Sequence, residues 1–262
     1  MGFPQQGVRH YFLTRYPTVF GVQRNSIMSH LISLKQPSFE KDGLEIQTFP
    51  YLLEDAFQQT QDAVFSDFTP ARNASNRNAR GLRLGVLVNQ QLHWTDKNTY
   101  QISAAFNSEE AGKVREMDLI PEAFLRTPQI ERLIKEAFIL NFGDIAESNQ
   151  QAYLVQLNAI RYQPTVSTTA YPPPDHPHQD GCDNTVVVLR KSPSILGGMS
   201  RVYTLDEDPL YEVNLAPGQA LFVEDDRYKH QVLPMMLDTG KMSASENNCR
   251  DILIIQIDPV RC

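Results

Sequence analysis

His178-Gln-Asp180 sets an imidazole and a carboxylate two positions apart, and a further histidine, His230, follows much later in the chain. On an extended strand, residues i and i+2 project to the same side, so both groups can reach one cation. The chain between Asp180 and His230 is long enough for several strands to return a second imidazole to the same spot. Two histidines and one carboxylate fill one face of a metal and leave the opposite positions open, the pattern that suits ferrous iron in oxygen chemistry. The expected centre is non-haem iron held by His178, Asp180 and His230.

Rival ligand sets exist. His176-Pro-His178 resembles the His-x-His pair of zinc hydrolases. That pair belongs to a long α/β barrel, which needs more chain than follows His178, so His176 is read as a loop residue. Thiolates would favour zinc, but Cys182, Cys249 and Cys262 form no Cys-x-x-Cys pair and read as packing residues. Arg250 opens the strongly apolar run Asp251-Ile-Leu-Ile-Ile255. A buried arginine needs an anion, and a guanidinium meets a carboxylate at two points.

The elements that must position these groups fall into two halves. Residues 1–50 are poorly patterned, and His10 and His30 within them read as surface or packing residues. Leu52, Leu53, Ala56, Phe57, Ala63 and Val64 recur at helical spacing, which predicts a helix over 51–65. A polar loop is expected over 69–78 and a strand over 81–88. Residues 121–142 read as helical, restarting at Thr127-Pro128, where Thr caps and Pro fills the first turn. Ile130, Leu133, Ile134, Ala137 and Phe138 make that helix's apolar stripe, and Gly143 stops it.

From residue 153 the chain changes character. Short β-rich segments over 153–162, 185–190, 200–205, 211–214, 220–224, 231–235 and 251–257 alternate with turn signals such as Gly197-Gly198 and Ala216-Pro-Gly218. Such spacing predicts a sandwich or barrel. The expected architecture is an α+β fold in one domain over 1–262: a helical or irregular extension over 1–76, helical support over 77–150, and a β core over 151–262 carrying the metal site.

Composition narrows the partners. A net charge of −7 argues against nucleic acid or an anionic membrane surface. No apolar run approaches the roughly 20 residues that span a bilayer. Met1-Gly-Phe-Pro-Gln-Gln6 has no charged-then-apolar leader, and three scattered cysteines make no disulfide framework, so a cytoplasmic location is expected. Arg77, Arg80 and Arg83 admit two readings, a solvated basic edge or an anchor for a substrate carboxylate. His93 and Trp94 receive no role.

His178-Gln-Asp180, Gly197-Gly198, Ala216-Pro-Gly218, His230 and Cys249-Arg-Asp-Ile-Leu-Ile254 together resemble the iron(II)/2-oxoglutarate dioxygenases that act on free amino acids, including isoleucine hydroxylases. Gly112-Lys-Val-Arg115 and Arg161-Tyr162 are similar to that family as well, and the likeness covers roughly 77–258. The metal triad and Arg-Asp-Ile-Leu are its specific parts, whereas Gly-Gly and Pro-Gly are generic turns. The resemblance implies a double-stranded β-helix, or jelly roll, with flanking helices. It also implies Fe(II), 2-oxoglutarate and O2 as cofactor and cosubstrates, with Arg250 holding the distal carboxylate of 2-oxoglutarate. The substrate it implies is a small free L-amino acid, oxidised at an aliphatic C–H bond. Hydroxylation is expected, although desaturation or ring closure could use the same site. Arg80, Arg83, Arg161 and Tyr162 are the expected substrate-binding residues, and no nucleic acid or membrane partner is expected.

Overall fold

The computed structural model describes residues 43–70, 78–101, 114–143, 151–242 and 247–260. His10, His30 and Arg77 lie outside them. Chain order begins with strand β1 (Leu44–Thr48), a 3-10 turn (Pro50–Leu53) and helix α1 (Asp55–Ser66). Strands β2 (Asn78–Val88), β3 (Gln91–Trp94), β4 (Thr99–Gln101), β5 (Val114–Glu116) and β6 (Asp118–Leu119) follow, then helices α2 (Glu122–Leu125) and α3 (Pro128–Phe142). The β-rich half holds β7 (Tyr153–Tyr162), β8 (Asn184–Lys191), β9 (Ile195–Gly197), β10 (Ser200–Tyr203) and β11 (Pro209–Val213). It closes with β12 (Gln219–Val223), β13 (Lys229–Val232), β14 (Met235–Leu237) and β15 (Arg250–Pro259). Among the described residues, no helix is long and apolar enough to cross a membrane.

Strand parity decides the layers. On β7 and β15, Val155, Leu157, Ala159, Leu253, Ile255 and Ile257 face one way and pack with Phe57, Phe65, Leu133 and Phe138 of the helices. The opposite set, Ile160, Tyr162 and Ile252 with Val186 and Val188 of β8, packs against Val202 of β10 and Met235 of β14. One face of the main sheet thus carries the helices, and the other closes over the smaller strands. Both faces of β15 are apolar because both are covered. Each such side chain, fully buried, contributes about 1.5–3 kcal/mol.

Among the described residues the main sheet runs β1-β12-β8-β15-β7-β2-β3, with β6 beside β2. The smaller strands form β11-β10-β13 and the ribbon β14-β9. This is the jelly-roll arrangement, an α+β fold with helices on the outer face of its larger sheet. The expected helix over 121–142 is present as α2 and α3, and its apolar stripe is buried residue for residue. Thr127 sits at the N-cap, but its hydroxyl donates to the Phe124 carbonyl at 2.7 Å rather than accepting from the helix.

Strands β1 to β6 come from the part read as extension and support, and the strand expected over 81–88 is present there as β2. β1 pairs with β12, and β2 pairs with β7 along its length. β1 carries only Leu44 and Ile46 as apolar alternation, too little to mark a strand. β2 starts three residues earlier than expected, at Asn78, because Asn78 and Arg80 add no apolar signal there.

Candidate metal centre

The Pro172–His178 connection ends as a strand-like segment against β13, where His178 and His230 exchange backbone bonds: His178 N–H to the His230 carbonyl at 3.1 Å, and the reverse at 2.9 Å. Pairing directly opposite puts both imidazoles on one side, with ring centroids 4.4 Å apart. The i+2 spacing then brings Asp180 to them. Its Oδ1 lies 3.6 Å from His178 Nε2, and its Oδ2 lies 3.5 Å from His230 Nε2. One ligand atom from each of the three falls within 4.8 Å of the others. Atoms bound to one transition metal at about 2.0–2.2 Å stand roughly 3–4 Å apart, so the set fits such an ion. His176 is exposed and contributes its carbonyl rather than its ring.

The protonation states also suit a cation. His178 Nδ1 lies 3.1 Å from the His176 carbonyl. A carbonyl only accepts, so Nδ1 carries the hydrogen and Nε2 keeps its lone pair. Burial, and the neighbouring His230, pull the His178 pKa down to about 4, so the ring is neutral. Burial opposes charge on His230, yet the hydrogen bond and charge of Asp180 raise its pKa. Burial likewise opposes ionisation of Asp180, and His230 and His178 outweigh it.

Asp225, in the turn after β12, was not anticipated from the sequence. Its Oδ1 and Oδ2 accept the backbone N–H groups of Asp180 at 2.8 Å and Gly181 at 2.6 Å. Its carbonyl accepts from the Gln179 amide. That clamp fixes the loop bearing Asp180. Burial is the chief reason its own pKa rises to about 6.

Farther along the interior face, in register across three strands, stand Lys191, Arg250 and Tyr162, and β2 adds Asn78 opposite Tyr162. Arg250 is wholly buried, and none of its three guanidinium nitrogens has a partner among the described residues. Burial pulls its pKa down to about 10, Tyr162 acting in the opposite direction. The Nδ2 of Asn78, 4% exposed, also lacks a partner among the described residues. A full charge left unpaired in the interior is costly, so the geometry fits an anion arriving there. Gly198 stands beside Arg250. Its φ is +69°, and an added Cβ would stand 3.3 Å from Arg250 Cδ and 3.0 Å from Met235 Cγ. A turn that reads as generic in the sequence therefore packs directly against Arg250 and Met235.

The other expected substrate residues separate by parity. Tyr162 faces the interior, and both Arg80 and Arg250 act on its phenol, whose pKa burial raises. Arg161, one residue earlier, faces the helices. It grips Asp251 at 2.8 and 2.7 Å, Asp62 at 2.7 Å and Ser66 at 2.7 Å. Arg83 also points outward, to Asp96 at 3.1 Å and the Ile120 carbonyl at 3.3 Å. Adjacent strand positions cannot line one cavity, so Arg161 and Tyr162 do not act as a pair.

A jelly roll with two histidines and an aspartate gathered inside it defines the class of non-haem iron oxygenases. A sequence model of the 2OG-Fe dioxygenase family matches residues 62–256, and the chain belongs to that family, which uses Fe(II), 2-oxoglutarate and O2. Over 108 residues it is 31% identical to the 3(1)-hydroxy-L-isoleucine 4-dioxygenase of Pantoea ananatis, a match spanning 40% of this chain and 43% of that protein. The fold is shared with the crystal structure of IDO from Bacillus thuringiensis: TM-score 0.69 and 17% identity over 85% of this chain and 96% of that one. A bsmA homolog from Methylobium petroleophilum superposes with TM-score 0.67 and 16% identity, over 83% of this chain and 89% of that one.

Proposed function

We propose that this protein oxidises an aliphatic C–H bond of a small free L-amino acid, with Fe(II) held by His178, Asp180 and His230. The observation that carries the reading is Arg250, a buried and unpartnered guanidinium inside the same jelly roll as the triad. It would take the distal carboxylate of 2-oxoglutarate as a two-point pair. When bound, iron and 2-oxoglutarate supply the oxidant: O2 gives one oxygen atom to succinate, released with CO2, and the other to the C–H bond.

The chain's own residues bind, orient and exclude water. Ile160, Val186, Val188 and Ile252 form an apolar wall along the interior face. Such a wall suits a hydrocarbon side chain and keeps solvent from the reacting bond. Tyr162 and Arg80, whose charge acts on the Tyr162 phenol, are the remaining candidates for the substrate's carboxylate. The likeness over 108 residues to a 3(1)-hydroxy-L-isoleucine 4-dioxygenase supports an amino acid with an isoleucine-type side chain. The test is succinate formation with Fe(II), 2-oxoglutarate and each of the twenty amino acids. Stimulation by valine, leucine or isoleucine is expected. Stimulation only by peptides would replace the free amino acid with a peptide substrate.

A further inference from the structure

Beyond the three ligands, the interior face holds a row of side-chain amides that no part of the proposed reaction uses. Asn184, Gln256 and Gln156 stand opposite one another on β8, β15 and β7. Asn184 Nδ2 donates to Asp180 Oδ2 at 2.9 Å and to the Cys182 carbonyl at 3.1 Å. Gln256 Nε2 donates to Asn184 Oδ1 at 2.8 Å. Gln156 Nε2 donates to Gln256 Oε1 at 2.7 Å, and Asn158 Nδ2 reaches the same oxygen at 3.5 Å.

The direction of this row follows from its end. An ionised carboxylate only accepts, so Asn184 must turn its NH2 toward Asp180. Its oxygen then faces Gln256, which must present its own NH2. The oxygen of Gln256 is left to receive the amides of β7. Every bond points the same way, toward the carboxylate, and Asn184 is 1% exposed. Polar groups in such a buried setting persist when each partner is satisfied, and they hold one geometry when they are.

We infer that Gln156, Gln256 and Asn184 form a positioning relay that fixes the plane of the Asp180 carboxylate and so sets how tightly the triad holds its metal. The inference rests on Asp180 being a metal ligand. A carboxylate held only by its backbone could turn about its Cβ–Cγ bond. With Asn184 on Oδ2 it is oriented before the cation arrives, and the sheet itself supplies the reference frame. The hydrogen bonds of Gln156 and Gln256 lead to Asp180 through Asn184.

The experiment measures Co(II) affinity of the full chain by its visible absorption, together with the melting temperature. Asn184→Ala is expected to weaken Co(II) binding about 10–100-fold, the range typical when the partner of a metal-bound side chain is lost. Gln256→Met keeps length and loses the amide, and a loss of at least about threefold is expected. In the Asn184→Ala background Gln256→Met should have no further effect, since coupled residues fail additivity. Gln256→Glu should be worse than Gln256→Met, because a carboxylate there draws the Asn184 NH2 away and turns its oxygen toward Asp180.

Wild-type affinity in both Gln256 variants, or an undiminished Gln256→Met effect without Asn184, would overturn the relay. His178→Ala separates the two readings. If it binds Co(II) as the wild type does, the ligand assignment fails. If it loses the metal while the Gln256 variants keep it, only the relay fails.

Discussion

Replacing Arg250 with methionine should move two measurements in opposite directions. Among the described residues the guanidinium is buried and without partners, and burial lowers its pKa well below the usual arginine value, to about 10. At about 1.4 kcal/mol per pKa unit, that charge costs the cosubstrate-free protein about 3 kcal/mol. Methionine has similar length and no charge, and apolar replacement of a buried charge is often stabilising by about 1–4 kcal/mol. Urea denaturation without metal or 2-oxoglutarate should therefore show a higher midpoint for Arg250→Met. Binding of 2-oxoglutarate should collapse. Two charge-assisted hydrogen bonds at about 1.5–3 kcal/mol each would be lost, a weakening of at least about a hundredfold. Arg250→Lys keeps the charge without the two-point geometry and should fall between. Calorimetric titration of 2-oxoglutarate decides it. Affinity within about threefold of the wild type in Arg250→Met, or a loss of stability instead of a gain, would refute the assignment.

Ala substitution of His178, Asp180 or His230 should each remove metal binding and turnover with little change in far-UV circular dichroism, whereas His176→Ala should retain substantial activity. Gly198→Ala should cost about 1–2 kcal/mol for its left-handed backbone and weaken 2-oxoglutarate binding, both read from ligand-dependent melting. Asp62 provides a pH test. Burial opposes its charge, but the Arg161 hydrogen bond and the charges of Arg190 and Arg161 hold its pKa below the usual carboxylate value. Its contribution is present above that usual value, about 3.9, and is lost as pH falls through the lowered one. Asp62→Asn should then be less stable than the wild type at pH 7, and the difference should shrink in strong acid.

How much was legible in the sequence follows from which signals are local. His178-Gln-Asp180 needs only strand geometry to be read. The α3 stripe, Ile130 to Phe138, needs only helical period. Arg250 stood out because a charge opening an apolar run demands an explanation. Arg161 misled because adjacency in sequence is opposition on a strand, and only the register with Asp251 shows which face it takes. Gln256 carried a faint signal: it interrupts an apolar strand at the same parity as Arg250. Asn184 and Asp225 carried none, since each matters through a partner more than 40 positions away or through a short turn whose shape no spacing encodes. β1 was invisible because two alternating apolar residues occur in many loops.

The most direct test of the central claim compares succinate formation from a free aliphatic L-amino acid with that from its carboxamide, at saturating Fe(II) and 2-oxoglutarate. If the substrate is a free amino acid, the interior pairs its carboxylate while enclosing its side chain, and a cationic partner left facing an uncharged amide costs at least about 1–3 kcal/mol. The free acid should turn over faster by about tenfold or more, its product gaining one oxygen atom. Equal rates for acid and amide, or no succinate above background with any aliphatic amino acid, would contradict it.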